Sequence, residues 1–164
     1  MNDQDLIAGA AVARPTVYRI QDAAGRGPWR PGFSHRWIDP DRDDSALPPW
    51  FQDRALLAQV NRYDLRPGTS LACGCRTPEQ LRQWFSRAEY VRLVGFYAFR
   101  AVEIQVDAIV GTSDVQCIFA SNRSLWIDAQ PFTLYAHPPG VPVRFPRSHR
   151  ELLPPTADDR VVDW

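Results

Sequence analysis

The residues whose types and spacing could do chemistry lie in separate stretches of the chain. Asp114-Val115-Gln116 follows a Gly111-Thr112-Ser113 loop and opens an alternating run. An acid and an amide therefore stand two residues apart at the start of a predicted strand, on one face of it. Arg19 lies in a short strand-forming stretch, Val17-Tyr18-Arg19-Ile20, and Arg26 follows in a glycine-rich segment. Thr77-Pro78 opens a predicted helix, whose first N–H groups and positive dipole end attract anions. Arginine grips a diphosphate through paired hydrogen bonds. Arg19, Arg26 and Thr77 thus describe a candidate diphosphate pocket. The plainer alternative pairs Arg19 with a surface carboxylate.

Other chemistries find less support. Cys73, Cys75 and Cys117, with His35, His137 and His149, are the candidate metal ligands. Structural zinc sites use two close ligand pairs at wider spacing than Cys73-Gly74-Cys75, and no second pair follows. No metal site is expected, and Cys117 reads as a small core residue. Ser34-His35 is adjacent in sequence only, and no nucleophile elbow surrounds any serine. All 19 basic residues are Arg, balanced by 19 acids. Without Lys there is no Schiff base and no P-loop lysine. Neutrality removes any global argument for nucleic acid or an anionic membrane. A high-GC genome explains the arginine usage as well as a binding role does.

The elements that must position these groups come next. Residues 17–20 form a short strand. Residues 21–40 hold Gly25, Gly27, Pro28, Pro31, Gly32 and Pro40, so they form a loop. That loop carries Arg26, Trp29, Arg30, Phe33, His35 and Trp37, and it either folds over the core or holds a ligand. Residues 50–60 approximate a helix with Phe51, Leu56, Leu57 and Val60 on one face. A strand over residues 70–75 leads to the strongest local signal, Thr77 as N-cap, Pro78 in the first turn and Gln80 at capping-box distance. Leu81, Trp84, Phe85 and Ala88 form the buried stripe, and the helix, or a second short one, stops at Gly95. Residues 96–107 alternate as a half-buried strand, with Glu103 on the polar face. A turn at residues 111–114 and a strand over residues 115–120 follow, and the two strands are expected to pair antiparallel. Further strand-like residues fill 124–135.

The order of three motifs resembles the ADP-ribosyltransferase fold of bacterial toxins and phage enzymes. These are Arg19 on an early strand, Thr77 at a strand–helix junction, and Asp114-Val115-Gln116 opening a late strand. The resemblance implies that Arg19 binds NAD and that Cys75-Arg76-Thr77 stands where the family has Ser-Thr-Ser. It implies that Asp114 takes the first position of the Glu-x-Glu or Gln-x-Glu pair and Gln116 that of the catalytic Glu. NAD would bind bent, with its diphosphate on Arg19 and Arg26. The loop over residues 29–37, with Trp29 and His35, would cover the nicotinamide side. Gln116, or Glu103 as an alternate acid, would orient the ribose while a nucleophile on a target attacks. Gln116 departs from the pattern, since an amide cannot stabilise an oxocarbenium ion by charge.

The expected architecture is a single α+β domain over residues 1–164. Its core is a mixed or antiparallel sheet arrangement of two small sheets with a few helices, and residues 138–164 form a Pro-rich surface arm. The odd cysteine count and the lack of a leader or an apolar span of ~20 residues predict a soluble cytoplasmic protein with no membrane partner. Its partners would be NAD and a protein or nucleic-acid target. Two competing functions remain: a non-enzymatic interaction or regulatory module with an Arg/Trp-rich face, and a nucleic-acid modifier.

Overall fold

The strand β1 (Thr16–Gln21) is the centre of the architecture, because it belongs to one sheet and touches the other. It pairs antiparallel with β3 (Arg100–Gln105), which pairs with β6 (Ala129–Pro131). The second antiparallel sheet orders β2 (Ser70–Gly74), β5 (Cys117–Ser121) and β4 (Ala108–Thr112) as β2-β5-β4. The computed structural model describes residues 13–136. The expected C-terminal arm and residues 1–12 of the leader lie outside them. Between the strands come a single 3-10 turn (Ser34–Arg36), α1 (Arg54–Val60), α2 (Pro78–Trp84) and α3 (Arg87–Tyr97). The fold is α+β, with two small antiparallel sheets and three α-helices among the described residues.

Strand alternation divides the core in two. Val17 on β1 and Val102 and Ile104 on β3 face Ala72, Cys117 and Phe119 of the other sheet. Residues one step along, Ile20 and Ala101, face the opposite way and meet Leu81, Phe85, Leu93, Phe99 and Trp37. Each side chain of this size that is fully buried contributes roughly 1.5–3 kcal/mol. The two sheets join at a corner. Tyr18 and Cys75 exchange both backbone hydrogen bonds at 2.8 Å. Gly74 permits this approach, since a Cβ there would stand 3.3 Å from both the Tyr18 carbonyl and the Phe119 ring.

The helices carry the caps the sequence announces, with some displacements. The Thr77 hydroxyl accepts the Gln80 N–H at 3.2 Å. The Gln80 side chain reaches back to the Arg76 N–H instead of that of Thr77. The stripe expected to end at Ala88 breaks at Phe85, because Ser86 caps a new helix with Glu89 in a full capping box. Ala88 is consequently exposed. Gly95 does not stop that helix. It continues to Tyr97 and ends on Ala98, which adopts the left-handed conformation at φ 57°. Before α1, Pro48 and Pro49 and the Asp53 cap delay the helix, so Phe51 precedes it and is exposed, and Leu56 alone is buried.

The strand pairing differs most from expectation. Residues 108–112 form β4, and the turn falls at residues 113–116, where the Ser113 N–H donates to the Gln116 carbonyl. β5 pairs with β2 and β4, and not with β3. The burial alternation is found at Val102, Ile104 and Val106, whereas β5 is buried at every position because it is the central strand of its sheet, and the two strands serve different sheets.

Candidate functional site

A cleft of about 680 Å³ lies beside the Tyr18–Cys75 bridge. Its floor holds Arg19 and Ile20 of β1 and Cys73, Gly74 and Cys75. Trp84 and Phe85 at the end of α2 form one wall, and Gln116 stands at the entrance to β5. Two loops complete it: residues 27–34, bringing Trp29 and Arg30, and residues 44–52, bringing Pro48, Trp50 and Phe51. Prolines and aromatic rings dominate the lining, with a few polar groups among them, as in small-molecule sites.

Arg19 is buried, and its guanidinium carbon lies 5.9 Å from the centre of the Phe119 ring. Arg30 sits over the rings of Phe33 (4.9 Å) and Phe99 (5.8 Å), with Asp22 at 4.0 Å. Both cations therefore lie against apolar surface, where charge interacts more strongly than in water. Trp29 packs edge-on against Trp37 at 4.8 Å and Trp84 at 6.0 Å, with the Arg42 guanidinium 5.0 Å from its ring centre. The Trp84 indole N–H donates to the Val115 carbonyl at 2.7 Å and fixes α2 to the turn before β5. Gln116 is 4% exposed, and its amide donates to the Pro48 carbonyl at 2.8 Å.

Of the residues that the resemblance and the diphosphate reading assign to NAD, Arg19, Trp29 and Gln116 border this one cleft. The others do not line it. Thr77 is exposed, and its hydroxyl serves the start of α2, a helix of only seven residues. Asp114 is exposed, and its backbone carbonyl accepts from the Gln80 amide at 2.8 Å. Arg26 pairs with Asp22 at 2.9 Å on the loop's outer side. His35 is exposed on the 3-10 turn. Glu103 does not line the cleft either. It stands opposite Tyr18 on β3, and Arg19 opposite Val102. Directly paired residues share a face and neighbours alternate, so Glu103 and Arg19 project from opposite faces of the sheet.

Arg30 belongs to the loop that the sequence offers as a ligand holder, whereas Trp50 and Phe51 fall in a predicted helix without a binding role. Only the closure of residues 44–52 over β1 reveals their position. A signal did exist: two prolines followed by an Asp cap mark residues 48–52 as loop, which makes the large aromatic pair there, half-buried Trp50 and exposed Phe51, notable. The Cys75 and Cys117 thiols are poor nucleophiles. Burial pushes the Cys75 thiol far up and that of Cys117 up to about 12. No cysteine forms a disulfide. Among the described residues, no three His, Cys, Asp or Glu side chains are grouped to hold a metal ion, and no helix is long and apolar enough to cross a membrane.

Residues 10–133 match one protein family, described as Bacteriophage T4 Y00F protein. The chain belongs to that family. The match spans every described strand and helix and therefore the whole cleft. No curated protein and no solved structure matches the chain.

Proposed function

We propose that this member of the family binds NAD in the cleft between the sheets, as an ADP-ribosyltransferase-like protein of the phage or bacterial cytoplasm. The observation that carries the reading is the meeting of Arg19, Trp29 and Gln116, from distant parts of the sequence, around one cavity of about 680 Å³. Two guanidiniums, Arg19 and Arg30, supply a cationic subsite suited to a diphosphate. Trp50 and Phe51 supply ring surface of the kind on which bases stack. Three cysteines without a disulfide suit a reducing compartment.

The same geometry argues for binding ahead of transfer. Gln116 offers a neutral amide whose donor is engaged by Pro48. Asp44, the carboxylate that lines the cleft, is paired with Arg42. Neither arrangement delivers negative charge to a developing oxocarbenium ion, so NAD cleavage is expected to be slow.

Thermal unfolding with and without NAD tests the proposal. At about 100 times Kd, a ligand of the native state adds ~2.7 kcal/mol, a rise of roughly 5–10 °C for a chain of this size. Arg19→Gln is expected to abolish the rise, and nicotinamide release by the native protein to stay close to background. No shift with NAD removes the reading. The interaction-module alternative retains one observation, the adjacent exposed side chains of Trp126 and Ile127.

A further inference from the structure

Residues 44–52 border the cleft, and Leu47, Pro48, Pro49, Trp50 and Phe51 line it. The segment is anchored at both ends. Before it, the Arg42 guanidinium binds Asp44, the Trp84 carbonyl at 2.6 Å and Glu89 at 2.8 Å. After it, the Asp53 side chain caps α1 by accepting the Leu56 N–H. Hydrogen bonds inside the segment are local turns: the Leu47 N–H donates to the Asp44 carbonyl, and the Gln52 N–H to that of Pro49. Pro48 and Pro49 carry no N–H and cannot join a strand ladder as donors. The middle of the segment is tied to the sheet side by the Gln116 amide donating to the Pro48 carbonyl.

We propose that residues 44–52 are a strap over the cleft and that Gln116 is its latch, so that the amide at position 116 controls how readily solutes reach the cleft floor. A carbonyl only accepts, so the latch needs a donor at position 116. An ionised Glu of the same size has none. Opening the strap also moves Trp50 and Phe51, the aromatic side of the cleft. The anchors at Arg42 and Asp53 leave the rest of the fold in place while the middle lifts. Gln116 is thus a positioning residue. The inference requires no particular ligand and stands or falls separately from the NAD reading.

Cys73 reports on it directly. It is half-buried and lines the cleft floor. Cys75 and Cys117 are buried with raised pKa, so an alkylating reagent discriminates against them. The experiment follows N-ethylmaleimide labelling of each cysteine in the full chain by peptide mass mapping. Gln116→Glu and Gln116→Ala are expected to speed Cys73 labelling about three- to tenfold, the range for losing one hydrogen bond that must break before opening. Labelling of Cys75 and Cys117 is expected to stay slow. An unchanged Cys73 rate in Gln116→Glu overturns the latch. A second measurement needs no variant. In the native chain, the Leu47 and Gln52 amides are expected to exchange with deuterium through a smaller opening than the amides of β5. Exchange of Leu47 only together with Phe119 overturns the strap.

Discussion

Glu89 and Gln116 are both polar side chains at the edge of complete burial, at 1% and 4% exposure, and they are used differently. Glu89 accepts the Ser86 N–H at 2.9 Å and the Asp39 N–H at 3.0 Å, and it pairs with Arg42 at 2.8 Å. It binds a helix start, a loop and a cation into one packed unit and does not line the cleft. Gln116 holds a loop carbonyl and borders the cleft. Burial of a polar group therefore does not by itself mark a functional site. A polar group that faces a cavity and fastens a movable segment is the informative case.

The widest separation between the two regions is expected from Glu89→Ala. Removing Glu89 leaves Arg42 with Asp44 as its remaining carboxylate and the Ser86 and Asp39 N–H groups without their acceptor, and costs about 3–5 kcal/mol, measured by urea unfolding. Burial alone pushes the Glu89 carboxyl up. The Asp39 and Ser86 N–H groups and the Arg42 guanidinium outweigh this and hold it below the usual range. Its contribution is therefore complete above the unfolded Glu value of about 4.3 and is lost as the pH falls through the lower folded value. The acid limb of the stability profile is expected to flatten in Glu89→Ala.

A smaller scaffold effect is expected at Gly111. A Cβ there would stand 2.9 Å from Leu56 Cδ1 and 3.0 Å from Gln59 Cβ, where α1 lies against β4. Gly111→Ala forces the helix outward at a cost of about 1–3 kcal/mol, read from the denaturation midpoint. Thr77→Ala should cost only about 1 kcal/mol by loss of the cap. Because the hydroxyl already accepts the Gln80 N–H, NAD affinity measured by calorimetry is expected to be unchanged in Thr77→Ala. A loss of affinity there would return Thr77 to the site and blur the division between scaffold and cleft.

What the sequence made legible was local. The Thr77 cap, the strands at Val17 and Ala72 and the alternation through Val102 and Ile104 depend on neighbours within a few residues. Two small sheets and a few helices followed from these signals together with the family resemblance. The assignment of β3 and β5 to different sheets depends on the Tyr18–Cys75 corner, which joins residues far apart in the chain. β4 was hidden because Gly111 reads as a turn residue, whereas it is the close approach of Leu56 and Gln59 that requires the glycine. Arg19 and Gln116 could be named as candidates, but their meeting could not be read from spacing. Glu103 shows the converse. It could be named on equal grounds, yet it stands opposite Tyr18 on β3 and does not line the cleft.

The central claim is that a nucleotide enters the cleft, and the tryptophans can locate it. The chain has six. Trp29, Trp50 and Trp84 line the cleft, while Trp126 is exposed outside it. The most direct measurement is an NAD titration of protein with ¹⁵N-labelled indoles, following each indole N–H by NMR. The expected result is saturable shifts at Trp29, Trp50 and Trp84 with Trp126 unmoved. Indole signals that stay fixed at millimolar NAD, or that move only at Trp126, would contradict it.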